Sequence, residues 1–205
     1  PVYIAENCTQ CMECITACPD TALPNTSQEV STVLRTAARN YVKDAAQREI
    51  LLGELEGIET RARETMNKAV SDKESVPFKD IIRKEVDSLT NLTDQAKGEF
   101  LAIIEDLPLA YSKVTAIYRA VEKKKPGEGG LFQIYVSDLC KGCGECVQVC
   151  GDHDALRMTV ETEELNQRHM TAQIFSRLLP DTDQKYLGLY DDSSPEASRE
   201  AALRN

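Results

Sequence analysis

The chain has 205 residues, 41% of them hydrophobic, which is enough for one ordinary domain or for a small domain with a large insertion. It contains no apolar run long enough to span a bilayer, and its amino end lacks the layout of a secretory signal, so we expect a cytoplasmic protein without a membrane partner. Its 24 Lys and Arg residues are outnumbered by 34 Asp and Glu, and the net charge of −10 disfavours a nucleic-acid partner.

A short alternating apolar segment at the amino end leads into the first of two cysteine motifs. The cysteines of this motif, followed by Pro19, have the spacing C-x2-C-x2-C-x3-C and are Cys8, Cys11, Cys14 and Cys18. We expect a strand before the motif, a loop through its first three cysteines and a short helical turn that ends at the fourth. Eight cysteines in an acidic chain without a signal peptide indicate metal binding rather than disulfide bonds.

A long cysteine-free stretch from about Pro24 to Gly130 is predicted to be helical. The capping-box pattern Thr26-Ser27-Gln28-Glu29 predicts the start of its first helix. Further helices are predicted to begin near Pro77 and at Asp94, and Pro108 is expected to end or kink the latter. Apolar stripes at helical spacing are formed by Val30, Val33, Leu34, Ala37, Tyr41 and Val42, by Leu51, Leu55, Ile58 and Ala62, by Phe78, Ile81, Ile82, Val86 and Leu89, by Phe100, Leu101, Ile104 and Leu107, and by Val114, Ile117, Tyr118 and Val121. We interpret these stripes as the core of a helical bundle, with a docking face as the alternative.

The second cysteine motif repeats the spacing of the first at a constant offset of 132 residues and consists of Cys140, Cys143, Cys146 and Cys150. The repeat includes the preceding strand, because the segment from Val2 matches the segment from Ile134 in its order of apolar and polar residues. One departure is Gly151, which stands where the first motif has Pro19. One structural unit is therefore predicted to occur twice.

The segment after the second motif is predicted to contain a strand over 155–161 and a helix that opens at Thr162 and runs to Pro180. Residues 181–189 are expected to form an extended connector, and Ser194 to start another helix. Because the chain begins at Pro1 and this last helix is short, we expect an excised segment of a longer protein.

The spacing of the cysteines indicates two 4Fe-4S clusters. Three thiolates at i, i+3 and i+6 can converge on one cubane, whereas the fourth cysteine of such a motif ligates the other cluster in two-cluster ferredoxins. We therefore assign Cys8, Cys11, Cys14 and Cys150 to cluster 1, and Cys140, Cys143, Cys146 and Cys18 to cluster 2. Four thiolates leave no open iron, so we expect electron transfer and no catalytic residue. Structural zinc, which usually takes two separated C-x-x-C pairs, and a radical-SAM cluster, which takes three cysteines, are the alternatives that this spacing disfavours.

Residues near the cysteines are expected to distinguish the two clusters. Gly142 and Gly144 would allow the second loop to bring backbone N–H groups close to cluster 2, so the two reduction potentials are predicted to differ. Tyr3 and Tyr135 are equivalent in the repeat and either shield the clusters from water or pack as ordinary strand residues. His153 either tunes a cluster near Cys150 or is a surface residue in a turn.

The motif residues resemble the two-cluster ferredoxin domain of the pyruvate (2-oxoacid):ferredoxin oxidoreductases. The segments that carry the resemblance are Cys8–Cys14 (CTQCMEC), Cys18–Pro24 (CPDTALP) and Cys140–Cys146 (CKGCGEC). The resemblance implies a parent enzyme that uses thiamine diphosphate, magnesium and CoA in its other domains to convert a 2-oxoacid into an acyl-CoA. Its implied partners are those other domains and an external ferredoxin or flavodoxin as electron acceptor. This chain contains no Gly-Asp-Gly diphosphate motif and no Walker loop, so it would transfer electrons without performing the chemistry.

The expected fold class is α+β, with a two-4Fe-4S ferredoxin-like core and a large α-helical insertion. Residues 1–26 and 130–162 are assigned to the ferredoxin-like domain, 27–129 to the insertion and 163–205 to a terminal helix and connector. Two alternative functions remain: an independent ferredoxin-type electron carrier whose insertion selects its partner, and a non-catalytic redox-sensing or docking module.

Overall fold

The computed structural model describes residues 1–187 and combines helices with two small antiparallel sheets. The strands are β1 (Val2–Tyr3), β2 (Asn25–Glu29), β3 (Leu109–Ala110), β4 (Gly130–Ile134) and β5 (Leu156–Arg157). The helices are α1 (Glu13–Ala17), α2 (Val30–Tyr41), α3 (Ala45–Asp72), α4 (Phe78–Asp87), α5 (Asp94–Asp106), α6 (Ala120–Lys124), α7 (Glu145–Cys150) and α8 (Glu163–Ser176). This mixture of elements is consistent with the α+β class. Among the helices of residues 1–187, none has the combination of length and hydropathy that crossing a bilayer requires.

The strands of the two repeats pair with each other rather than within one repeat. β1 precedes the first cysteine motif and pairs with β5, which follows the second, so that Tyr3 lies opposite Leu156. β2 follows the first motif and pairs with β4, which precedes the second, with Ser27 opposite Phe132. β3 joins the other edge of β4. The two halves are therefore interlocked, because each sheet contains a strand from both.

The central strand β4 separates two hydrophobic cores. Leu131 packs into the core of the helices α2 to α5, whereas Phe132 and Ile134 pack into a second core that contains buried cysteines. This alternation follows from the period of two along a strand, which directs successive side chains to opposite faces. The second core also contains Val114 and Ile117, so part of the 27–129 segment packs with the cysteine unit.

Helix boundaries in the insertion follow local sequence signals in several places. α5 begins at Asp94 as expected, and the hydroxyl of Thr93 accepts a hydrogen bond from the backbone N–H of Ala96 at 3.3 Å. Pro108 lies just beyond the end of α5, and Pro77 occupies the N-cap position of α4. The apolar stripe of α3 is buried in the bundle core, which confirms the predicted packing.

The capping-box prediction over 26–29 was wrong. These residues form β2, and α2 begins at Val30 without a side-chain cap at Glu29. Long-range contacts explain the difference, because β2 pairs with β4 and the Thr26 hydroxyl shares a hydrogen bond with that of Thr182 at 3.1 Å. A five-residue strand pairing satisfies more backbone groups than one local capping box would.

Four other predictions along the chain need correction. The helix predicted around Val114 begins with a π-helical turn over Thr115–Arg119 before α6. The strand predicted over 155–161 is limited to Leu156–Arg157, and α8 ends at Ser176 rather than near Pro180. The expected extended connector contains a 3-10 turn over Gln184–Tyr186. Residues 188 and 189 of that connector and the helix start at Ser194 lie outside the described residues.

Tyr186 explains why the connector is not extended. Its side chain is buried over Gly130, where an added Cβ would lie only 2.6 Å from the Cζ atom of Tyr186. Its hydroxyl donates a hydrogen bond to the carbonyl oxygen of Glu128 at 2.8 Å. The end of the described chain is thereby attached to the beginning of β4.

A buried polar network joins α3 to the segment that precedes β4. Arg63 forms an ion pair with Glu122 at 3.1 Å and donates to the carbonyl oxygen of Gly129 at 2.9 Å. Glu122 also accepts backbone hydrogen bonds from Gly127 and Gly129 and a side-chain hydrogen bond from Asn67. Because every charged group in the network has partners, the ion pair tolerates its burial.

Candidate metal centre

The two cysteine loops share one backbone conformation. Gln10 and Met12 have φ angles of 60° and 66°, and the equivalent Gly142 and Gly144 have φ angles of 71° and 86°. Each loop then enters a short helix directly, α1 after Met12 and α7 after Gly144. In the first loop, Gln10 and Met12 therefore adopt a left-handed conformation that is more favourable for glycine. The predicted repeat therefore extends to the backbone dihedral angles.

The first cavity of the cysteine unit is lined by cysteines from both motifs. Three of them, Cys8, Cys11 and Cys14, come from the first loop, and the fourth is Cys150 at the end of α7. Since α1 and α7 pack against each other, the end of α7 reaches the loop of the other repeat.

The second cavity has the reciprocal composition. Cys140, Cys143 and Cys146 come from the second loop, and Cys18 follows the end of α1. Each cavity thus brings together the four cysteines that the crossed assignment places on one cluster.

The two fourth cysteines are held by similar backbone contacts. The N–H of Ala22 donates to the sulfur of Cys18 at 3.2 Å, and the N–H of Ala155 donates to the sulfur of Cys150 at 3.3 Å. The second connection is one residue longer and turns at Gly151, which has a φ angle of 47°. Proline cannot adopt this angle, so the second motif uses glycine where the first has Pro19.

The two cavities differ in exposure to solvent. Cys8, Cys14 and Cys150 are buried at the first cavity, and Cys11 is half-buried. At the second cavity only Cys146 is buried, Cys18 and Cys140 are half-buried, and Cys143 is exposed. The second set of cysteines therefore provides the more accessible side of the unit.

The thiols of the first cavity influence each other's protonation. Burial, together with the neighbouring sulfurs of Cys8, Cys11, Cys150 and Cys146, raises the pKa of Cys14 to about 12. Burial also raises the pKa of Cys8, while contacts with the Tyr3 hydroxyl and the Gln10 N–H act against that increase. Such thiols become thiolates only with a compensating positive charge, which coordinated iron supplies.

The set of donors fits a 4Fe-4S cluster at each cavity. Among residues 1–187, no three His, Cys, Asp or Glu side chains lie close enough to hold a single metal ion. The four thiolates of a cubane bind four different irons and are therefore more widely separated than the ligands of one ion. A buried side-chain amide without a hydrogen-bond partner, that of Gln10, also lines the first cavity. An acceptor is thus needed there that the protein itself does not provide.

Several residues around the first cavity were not predicted from the sequence. Phe132 and Ile134 line it from β4, and Gln10 lines it from the loop. The alternation of β4 could have indicated the first two, whereas nothing in the sequence indicated that a loop glutamine is buried. His153 is exposed and lines the rim of the same cavity, so both of its proposed roles remain compatible with its position.

A family model described as a 4Fe-4S binding domain matches residues 5–27 and 137–153, which include all eight cysteines. The match supports an iron-sulfur, ferredoxin-like domain in this part of the chain. A domain of this kind suggests electron transfer, and the cysteine-rich sequence supports 4Fe-4S clusters as the bound group. No curated protein and no solved structure matches the chain.

Proposed function

We propose that the chain transfers electrons through two 4Fe-4S clusters with crossed ligation. Cys8, Cys11, Cys14 and Cys150 would hold one cluster, and Cys140, Cys143, Cys146 and Cys18 the other. The observation that supports this proposal best is the composition of the two cavities, each lined by three cysteines of one motif and the fourth of the other.

The protein's part in this function is to bind the clusters, exclude water and stabilise charge. A cluster supplies reversible one-electron chemistry, and four thiolate ligands leave none of its irons open to a substrate. Phe132, Ile134 and Leu156 provide apolar walls at the first cavity. The backbone N–H groups of Gln10, Ala22 and Ala155 donate to cysteine sulfurs, which favours the more negative, reduced state.

We place the exchange of electrons with other proteins at the second set of cysteines. Cys143 is the exposed ligand of this set, so a partner can approach it without disturbing the core. A groove of about 600 Å³ beside Cys140 separates the second loop from α8. Exposed apolar side chains near the groove are Leu139, Met158, Val160 and Met170. An apolar surface at this place suits a transient redox partner.

The finer part of the proposal concerns the protein to which this unit belongs. The motif residues support the ferredoxin-like domain of a 2-oxoacid:ferredoxin oxidoreductase through their resemblance to that family. The exposed apolar side chains beside the second loop support the second candidate, an independent electron carrier that docks onto its partner. An antibody against residues 1–187 distinguishes the two in extracts of the source cells. A band near 22.8 kDa supports the independent carrier, and a band several times larger supports the parent enzyme.

Metal analysis of the anaerobically purified chain tests the proposed function. We expect about eight irons and a matching amount of acid-labile sulfide per chain, together with broad visible absorbance that dithionite bleaches reversibly. A variant with Cys143→Ser and Cys140→Ser provides the control and should retain about half of the iron. Stoichiometric zinc without visible absorbance, or clusters that cannot be reduced and reoxidised, would contradict the proposal.

A further inference from the structure

Two side chains at the first cavity have buried polar atoms without a hydrogen-bond partner of normal geometry. One is the hydroxyl of Tyr3, and the other is the side-chain amide of Gln10, in which both the nitrogen and the oxygen are unpartnered. Both residues line the cavity that contains Cys8, Cys11, Cys14 and Cys150. A buried donor without an acceptor costs free energy, so two of them at one cavity indicate an acceptor that occupies it.

The Tyr3 hydroxyl is positioned to donate toward sulfur. It lies fully buried against the Cys8 thiol, close enough to affect that thiol even though the contact is not a normal hydrogen bond. The backbone of Tyr3 is fixed because it pairs with Leu156 of β5. The hydroxyl therefore faces the cavity as a result of strand register and not of a flexible side chain.

The equivalent residues of the second repeat do not provide such donors. Tyr135 corresponds to Tyr3, but its hydroxyl donates to the side-chain oxygen of Gln133, and it does not line the second cavity. Gly142 corresponds to Gln10 and has no side chain. Side-chain donors are thus present at the first cavity and missing at the corresponding positions of the second.

We propose that Tyr3 and Gln10 are positioning residues that donate hydrogen bonds to the sulfurs of the first cluster and raise its reduction potential. The inference rests on the proposed function, since it requires a cluster at this cavity. Reduction adds one electron to the cluster and breaks or forms no covalent bond. Donors to its sulfurs stabilise the added negative charge, whereas the second cluster is without these two donors. Compared with a first cluster without these two donors, the buried cluster would therefore retain an added electron more strongly.

The test compares Tyr3→Phe and Gln10→Gly with the control Tyr135→Phe in EPR-monitored redox titrations of the anaerobic protein. Gln10→Gly gives the first loop the residue of the second and is compatible with its left-handed backbone. The signal of the first cluster is identified as the one that Cys11→Ser alters. We expect Tyr3→Phe and Gln10→Gly each to favour its oxidised form by about tenfold, a shift of about 59 mV to lower potential for a one-electron couple.

The control Tyr135→Phe should leave both potentials unchanged, because its hydroxyl is paired within the protein. Resonance Raman spectra in D₂O provide a second measurement, and we expect smaller isotope shifts of the Fe–S stretching modes of the first cluster in Tyr3→Phe than in the wild type, because the backbone donors to Cys8 and Cys150 are present in both. Retention of both clusters with unchanged potentials in Tyr3→Phe and Gln10→Gly would overturn this inference and leave the proposed function intact. A wild-type chain without iron would overturn both.

Discussion

Cys14 and Cys150 line the same cavity although they belong to different motifs at opposite ends of the described chain. The sulfur of Cys150 is near enough to contribute to the raised pKa of the Cys14 thiol. The contact depends on the packing of α1 against α7 and on the pairing of β1 with β5. A cluster at this cavity would therefore connect the two repeats in addition to carrying electrons.

Crossed ligation predicts that the fourth cysteine of each motif affects the cluster of the other. We expect Cys150→Ser to alter the same EPR signal as Cys11→Ser, and Cys18→Ser to alter the same signal as Cys143→Ser, because each pair lines one cavity. Iron content should fall most for the cluster with the replaced ligand. If Cys150→Ser instead reproduces the spectrum of Cys143→Ser, the assignment is wrong.

Substitution of Gly151 by a residue with a side chain is predicted to destabilise the fold because of the backbone φ angle and not because of a steric clash. An added Cβ would meet no atom within 4 Å, but the φ angle of 47° is strained for other residues. We expect Gly151→Ala to lower the free energy of unfolding by about 1–3 kcal/mol. Gly151→Pro, which copies Pro19 of the first motif, should be worse because proline requires φ near −65°.

Gly53 provides the matched control, since it lies exposed within α3 and an added Cβ would also meet nothing within 4 Å. Gly53→Ala should stabilise the protein by about 0.5–1 kcal/mol. Both substitutions are compared by anaerobic thermal unfolding. An equal effect of the two alanines would show that the backbone angle at Gly151 is not the cause.

The Arg63–Glu122 ion pair is predicted to be important for stability. Both side chains are more than nine-tenths buried, and Glu122→Gln would leave Arg63 with Glu59 as its remaining ion-pair partner while weakening the hydrogen bonds that the carboxylate accepts. We expect Glu122→Gln to cost about 1–3 kcal/mol in urea unfolding at pH 7. Lys125→Ala breaks the exposed Lys125–Glu128 pair and should cost less than about 1 kcal/mol. Similar costs for the two variants would contradict the importance of the buried pair.

The same carboxylate makes the stability depend on pH. Burial raises the pKa of Glu122, but hydrogen bonds from Gly127, Gly129 and Asn67 and the charge of Arg63 outweigh it, so the pKa is lowered overall. A carboxylate with a lowered pKa in the folded state stabilises the protein above its unfolded pKa, which is about 4.3. This contribution is lost as the pH falls through the folded pKa. The difference between wild type and Glu122→Gln should therefore be constant from pH 8 to about pH 5 and shrink at lower pH, as measured by far-UV circular dichroism.

Two buried isoleucines of the 27–129 segment are predicted to affect different parts of the molecule. Ile117 packs in the core that contains Cys8 and Cys14, whereas Ile58 packs in the helical core. Each substitution by alanine should cost about 2–5 kcal/mol, because both side chains are fully buried. Ile117→Ala should accelerate loss of visible absorbance in air, whereas Ile58→Ala should lower helical stability without that acceleration. Equal rates of cluster loss would contradict this division.

Local patterns in the sequence were sufficient to predict the cysteine repeat and most of the helices. Spacing within one loop determines which thiols can converge, and contacts at i, i+3 and i+4 determine which face of a helix is apolar. The helix starts predicted at Asp94 and Thr162 were found for the same reason, and each helix is capped by a threonine hydroxyl, of Thr93 or Thr162, that accepts a hydrogen bond from the backbone N–H three residues on. These features depend on contacts between residues close in sequence, so they can be predicted from the sequence.

The tertiary structure decided everything that depends on competition between distant contacts. The capping box at Thr26 became a strand because β4 offered a longer set of backbone hydrogen bonds. Tyr186 turned the connector back onto Gly130 because a buried ring there gains more than an extended chain in water. The position of the Tyr3 hydroxyl at the first cavity and the burial of Gln10 likewise follow from strand register and loop packing, which bring residues of both repeats together. Spacing along the chain carries no information on these positions, because each is determined by groups that lie more than 50 residues away in the sequence.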